Sequence, residues 1–162
     1  LVGTLHNAWH ELLELLNSER IVATAGAVGG ARLALRLGVD YAKQRKVFGD
    51  RVTASYQGVQ FPLADCFADI ECARLMNLRA ATKCDAGQPY GSDANVAKLV
   101  GARALTHATD RALQGMGGMG YSRDAYVERL WRDARLARIA PVSEEMVLNY
   151  IAQHDLGMPR SY

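Results

Sequence analysis

Several things are missing from this sequence, and each absence closes a door. No run of about 18 apolar residues occurs, so no transmembrane helix is expected. The net charge is only +2 over 162 residues, which gives nothing to pull the chain towards nucleic acid or an anionic membrane. There are three cysteines, Cys66, Cys72 and Cys84. They are odd in number, lie in helical sequence and fit no zinc spacing, so they read as reduced, buried thiols of a cytoplasmic protein. Alternating Val/Ile/Thr runs bounded by turns are missing, which argues against strands. The opening LVGTLHNAWHELLELLNSER has neither a basic n-region nor a cleavage site and does not read as a signal peptide. No internal repeat, low-complexity segment or linker breaks the chain.

What is present is helical. Apolar residues make up 49% of the chain, and its length suits one domain with a real core. A first long helix is expected over about residues 6 to 46, with Leu12, Leu15, Leu16, Val22, Leu33 and Leu37 at helical spacing. Its Ala- and Gly-rich centre, Ala23 to Ala31, would let another helix pack closely. Phe48-Gly49-Asp50 ends it as a turn. A second helix runs from about Gly58 to Ala86, with Pro62 tolerable only in its first turn. After the Gly87–Gly91 turn, Ser92 reads as the N-cap of a third helix reaching Met116. Ser122 reads as the cap of a fourth ending near Arg138. Pro141 breaks the chain, and Ser143 opens a last helix ending near Gly157. The expected fold is all-α: an up-and-down four-helix bundle with an extra short C-terminal helix.

A bundle alone names no function. The informative stretch is Gln114 to Glu145. It places four glycines, Gly115, Gly117, Gly118 and Gly120, in seven residues. Each would cost roughly 1 kcal/mol against alanine inside a helix. So bare a backbone usually lets another helix or a ligand phosphate come close. Arg45-Lys46-Val47-Phe48-Gly49 ends the first long helix. By itself it reads as cations compensating a helix C-terminus with a capping glycine. Together with Gln57 and the glycine run it offers what a pyrophosphate and an adenine need: an arginine, glutamine amides and exposed N–H groups.

These pieces carry a resemblance. YAKQRKVFG, Gln57 with Leu63-Ala64-Asp65, and QGMGGMGYSRDAYVERLWRDARLARI resemble, in this order and over nearly the whole chain, the C-terminal domain of acyl-CoA dehydrogenases. The resemblance implies a C-terminal part, residues 1–162, of an FAD enzyme whose N-terminal helical and middle β-domains lie elsewhere. Residue by residue, it implies that Arg45 reaches FAD phosphates across a subunit interface. Phe48 would lie by the cofactor and Gln57 near its adenine end. Gln114, Gly117 and Gly118 would contact the same FAD, while Ser143 and Glu144 would touch the cofactor of their own subunit. It further implies an acyl-CoA substrate, an electron-transfer flavoprotein as acceptor, a homotetrameric dimer of dimers, a role in fatty acid metabolism and a cytoplasmic site, or the mitochondrial matrix in a eukaryote.

The chain departs from the family's commoner pattern at the catalytic base. Where many members have a glutamate, this sequence reads Ile139-Ala140-Pro141-Val142-Ser143, and Ala140 abstracts no proton. Other members place the base on the first long helix in L-x-x-E-R, matched here by Leu16 to Arg20. That implies Glu19 as base, with Asn17 and Arg20 at the acyl-CoA. Glu19 also stands out alone. Positions 19, 22, 23, 26 and 30 share one helix face, so one carboxylate heads a small apolar stripe that would strip its solvation and favour general-base duty. The bland reading is a partly solvated Glu beside Arg20. Two other functions stay open: a non-catalytic assembly bundle, and a domain of a related flavin monooxygenase or nitroalkane-oxidase-like enzyme. His6 and His10 lack a third ligand, so no metal is expected. Trp9 and Trp131 read as packing groups, and the run Arg129–Arg138 as an ion-pair face or a subunit contact.

Overall fold

A computed structural model describes residues 3–161, apart from the side chains of His10 and Glu14. Six helices follow in order: α1 (Ala8–Gln44), α2 (Gln57–Asp85), α3 (Gly91–Met116), α4 (Gly118–Tyr121), α5 (Val127–Ala137) and α6 (Glu144–Tyr150). A five-residue π turn, Ile151–Asp155, extends α6. The expectation of no strand fails in one place. β1 (Lys46–Val47) and β2 (Arg51–Val52) pair antiparallel, Lys46 with Val52 and Val47 with Arg51. The turn foreseen at Phe48-Gly49-Asp50 is their connection, with φ of 50° at Phe48 and 95° at Gly49.

Contacts along the helices give the topology. Gly91 faces Asn17, Gly101 faces Thr24, Gly30 faces Leu105 and Gly38 faces Ala112, so α1 and α3 run parallel. Helix α2 runs back antiparallel to both, with Asp69 at His107 and Lys83 at Asp93. Helices α5 and α6 descend end to end along α3, bringing Val127 to Met116 and Glu144 to Arg103. Together they form the fourth column of the expected all-α bundle. The core is small-residued: Ala27, Ala31, Ala73, Ala104 and Ala108 surround Ile70 and Cys66. Such thin residues bring the axes close. A Cβ on Gly38 would lie 3.1 Å from the Ala112 Cα, so glycine there is set by helix–helix approach. Gly26 and Gly29, expected to admit a packed helix, instead face open space.

Several local expectations shift. Ser92 does not cap α3; Tyr90 precedes its first turn, and the Ser92 hydroxyl donates to Asp155 at 2.6 Å. Ser122 closes a local turn, accepting from the Asp124 N–H at 3.2 Å, while α5 begins five residues later at Val127. Ser143 does cap α6, accepting from the Met146 N–H at 3.3 Å. Pro62 lies beyond the first turn of α2, where it has no N–H to give the Gly58 carbonyl. Trp9 and Trp131 are exposed rather than packed. Of the cysteines only Cys66 is buried, and burial pushes its thiol up to about 11. By length and composition alone, α1 from Glu11 to Gln44 is apolar enough to cross a membrane. Here it packs along α3 and carries a buried arginine inside the bundle.

Candidate functional site

The sequence-predicted residues separate into two groups at opposite ends of α1. At its C-terminal end, Arg45 follows the last turn, its N–H bonded to the Tyr41 carbonyl at 2.8 Å. The hairpin folds back so that the Thr53 N–H donates to the Arg45 carbonyl at 2.8 Å and the Thr53 hydroxyl to the Ala42 carbonyl at 3.0 Å. This pins Arg45 opposite the end of α3. There Gly117 takes φ 59°, ψ −136°, a conformation that excludes most side chains. The chain reverses into α4, which is wedged against α3 at Gly120: a Cβ there would come 2.5 Å from the Leu113 carbonyl oxygen.

Between these elements lies a groove of about 460 Å³ lined by Arg45, Gln114, Gly117 and Gly118, with Tyr41 and Thr53 beside them. No carboxylate lines it. Gly115, Gly117 and Gly118 meet no atom within 4 Å where a Cβ would stand, so their backbone is open to a ligand. The Arg45 guanidinium makes no ion pair among the described residues. A cation, an amide and bare backbone facing one groove can hold an anionic phosphate. Two predicted members are not in it. Phe48 projects from the hairpin tip at 93% exposure. Gln57 opens α2 outside the groove; its neighbour Gly58 lines an adjoining cleft that also reaches Gln114. Tyr41 and Thr53 were missed. Tyr41 lies one turn before Arg45, which is a legible signal, whereas Thr53 arrives only through the hairpin.

The second group surrounds Glu19. From position 19 to position 45 is roughly 39 Å at about 1.5 Å per helical residue. Glu19 is exposed, as are Val22, Ala23 and Gly26 on its face. The small apolar wall exists, but this chain alone leaves it solvated. Arg20, expected with Asn17 at the acyl-CoA, is 6% exposed. Its Nη1 donates to the Asn17 Oδ1 at 2.6 Å, and its Nε is buried without a partner. Desolvation lowers its pKa, against the raising effect of Tyr150 and Glu19. Lys98 on α3, 3% exposed, is a second inward cation the sequence did not disclose. Its Nζ is also unpartnered, and desolvation lowers it most.

Ser143 and Glu144 open α6 in this same half of the bundle. Glu144, expected at the cofactor, is committed elsewhere. Its Oε1 accepts from Arg103 at 2.6 Å and its Oε2 from Arg138 at 2.7 Å, while its N–H bonds the Arg138 carbonyl. Burial raises its pKa, but the two guanidinium hydrogen bonds outweigh burial and hold the carboxyl below its ordinary value. It closes the α5–α6 corner. Ala140, joined to Pro141 by a cis bond, lies in that corner. Along α5, Arg132–Glu128 at 2.6 Å and Arg129–Asp133 at 3.6 Å form the expected ion-pair face. Among the described residues no three His, Cys, Asp or Glu gather as metal ligands; the His10 side chain lies outside them.

The chain is similar to known proteins over nearly its whole length. A family model described as acyl-CoA dehydrogenase, C-terminal domain, matches residues 8–156. Acyl-CoA dehydrogenase FadE12 of Mycobacterium tuberculosis is 48% identical over 164 residues, covering 100% of this chain and 42% of its own length. The solved butyryl-CoA dehydrogenase of Megasphaera elsdenii is 36% identical with a TM-score of 0.87, over 90% of this chain and 38% of that one. A chain in a structure titled for the electron transferring flavoprotein of Acidaminococcus fermentans is 31% identical with a TM-score of 0.92, over 95% and 40%. The chain thus spans about two fifths of the relatives it matches. Matched from its first long helix to its last, it belongs to the acyl-CoA dehydrogenase family, as that family's C-terminal helical domain.

Proposed function

We propose that this chain is the C-terminal share of an FAD-dependent enzyme that introduces an α,β double bond into an acyl-CoA thioester. The observation that carries the reading is the groove in which Arg45, Gln114, Gly117 and Gly118 converge on open, acid-free space. These residues fit a dinucleotide's phosphates: Arg45 supplies charge, Gln114 an amide, and the glycines let the backbone approach. FAD, when bound, supplies the hydride acceptor, and the hard chemistry is the cofactor's.

What this chain does is bind, position and move one proton. Glu19 takes the α-proton of the acyl group. Its exposure gives a substrate access from the α1 face, and the neighbouring Val22, Ala23 and Gly26 form the apolar surface against which a covered carboxylate would lose solvation. Asn17 holds the Arg20 guanidinium at 2.6 Å beneath that face. Arg20 thus places positive charge near the developing negative charge of the reacting group. Ser143 stands at the start of α6 for a contact to the cofactor served by Glu19. An acyl-CoA substrate, an electron-transfer flavoprotein as acceptor and a homo-oligomeric dimer of dimers belong to the same reading, as do fatty acid metabolism and a cytoplasmic or matrix location.

The test is anaerobic mixing of the full-length protein with acyl-CoA thioesters of several lengths. Flavin bleaching is expected. Glu19→Gln should abolish bleaching while flavin stays bound. No bleaching with any chain length sinks the dehydrogenase reading, and wild-type rates in the variant remove Glu19 as base.

A further inference from the structure

A lysine is seldom enclosed without a partner. Among the described residues, three buried side-chain polar atoms lack a hydrogen bond, and two of them belong to cations, Arg20 Nε and Lys98 Nζ. These two belong together. On the parallel pair α1 and α3, Asn17 faces Gly91 and Thr24 faces Gly101. Arg20 lies between the two α1 positions and Lys98 between the two α3 positions, so both stand at one level of the same interface. Long side chains lean towards the N-terminus of their helix, and Arg20 does so in reaching Asn17.

Little on this chain neutralises the pair. Of the charges around Lys98, Glu144 acts most strongly, followed by Arg20, Glu145 and Arg138. Yet the Glu144 oxygens already accept from Arg103 and Arg138, and Glu145 is exposed. On α2, Arg79 and Lys83 are turned to Asp93. An ammonium loses much by leaving water, and an apolar side chain of the same shape is often as stable or better in its place. Sites that break such a rule tend to be functional.

The pair lies behind Glu19. Burial lowers the pKa of Arg20, while Tyr150 and then Glu19 raise it. The same attraction acts on Glu19 in return and favours its carboxylate form. Uncovered, Glu19 is solvated. Under an acyl group, the face of Val22, Ala23 and Gly26 would strip that solvent and favour the neutral acid, which removes no proton. A positive charge that water does not screen opposes this.

We propose that Lys98 stands unpaired inside the bundle to add positive charge behind Arg20, and so keeps Glu19 a carboxylate when a substrate covers it. Lys98 touches no reacting atom; it is a positioning residue that acts through Arg20. The inference rests on the reading of Glu19 as the base.

The test follows the pH dependence of flavin reduction by acyl-CoA in the full-length protein under anaerobic mixing. Lys98→Met keeps the side chain's bulk and removes its charge. The acid limb of the profile should move to higher pH by about half a unit or more, because Glu19 then takes up its proton earlier as pH falls. The move should persist at about 0.5 M salt, since a charge 3% exposed is little screened. It should persist on a His154→Gln background too, because His154, stacked on Tyr150 at 4.4 Å, is a residue type that titrates in the same range. Hydrogen exchange of the α3 amides should be no faster in Lys98→Met than in the wild type, as methionine needs no polar partner there. An unmoved limb overturns the inference; if α3 also exchanges faster, Lys98 is a structural residue with its partner in the longer protein. A wild type that does not bleach, or Glu19→Gln reacting at the wild-type rate, removes the reading beneath the inference instead.

Discussion

Replacing Glu144 by Gln tests whether the α5–α6 corner is held by charge. The wild-type carboxylate is 5% exposed and takes a hydrogen bond from each of Arg103 and Arg138. Removing one partner of a buried ion pair costs about 3–5 kcal/mol. The Arg103 and Arg138 side chains are 53% and 36% exposed, so water rescreens them and the expected loss falls to about 2–3 kcal/mol. The loss is local, so the assay is hydrogen exchange of the α6 amides, compared between variant and wild type at each pH. Opening of α6 should accelerate roughly 30- to 150-fold in Glu144→Gln, at about 1.4 kcal/mol per factor of ten. The folded carboxyl titrates below its ordinary value of 4.5. Its stabilisation is therefore complete above that value and is lost as pH falls through the lower, folded one. The wild type should approach the variant under acid conditions, and the ratio should shrink towards one. Glu145→Gln, at the exposed neighbour, should change little. A ratio that stays constant with pH, or stays below about threefold at neutral pH, would refute the account of the corner.

Two further outcomes are expected. Gly120→Ala places a methyl 2.5 Å from the Leu113 carbonyl oxygen, an overpacking worth about 1–3 kcal/mol. It should lift α4, and flavin affinity of the full-length protein, measured by fluorescence titration, should fall with it; unchanged affinity would show that the position of α4 does not govern the groove. Cys66, with its thiol pushed up to about 11 by burial, should resist alkylation at pH 8 in the folded protein and react on unfolding, as intact mass would show. Its contribution to stability should also fade as pH rises from 9 towards about 11, because only the unfolded thiol ionises readily there.

Local chemistry was the legible part of the sequence. The Phe48-Gly49-Asp50 turn, the Ser143 cap and the glycine run could be read because each depends on residues within a few positions. Ser92 and Ser122 misled for the opposite reason. One found a partner across the fold in Asp155, and the other spent its hydroxyl on its own turn. Periodicity identified apolar faces but not their covers, so Trp9, Trp131 and Cys72 were expected inside and stand outside. The burial of Arg20 and Lys98 was equally hidden, since a charged residue on a helix gives no sign that its side chain will be enclosed. In the candidate site, Arg45, Gln114 and the glycines could be placed together by their residue types, while Thr53 required the hairpin.

The length of α1 has a consequence for how such a protein would tolerate damage. Roughly 39 Å of rigid helix separates Glu19 from Arg45, further than one dinucleotide reaches. On the proposed reading each chain therefore serves two cofactors, one through its base and another through its groove. A subunit defective only at Glu19 and a subunit defective only at Arg45 each still own a sound half. Mixed in one assembly, the two would rebuild some intact centres from their unharmed halves, so two individually dead alleles of this chain would complement one another.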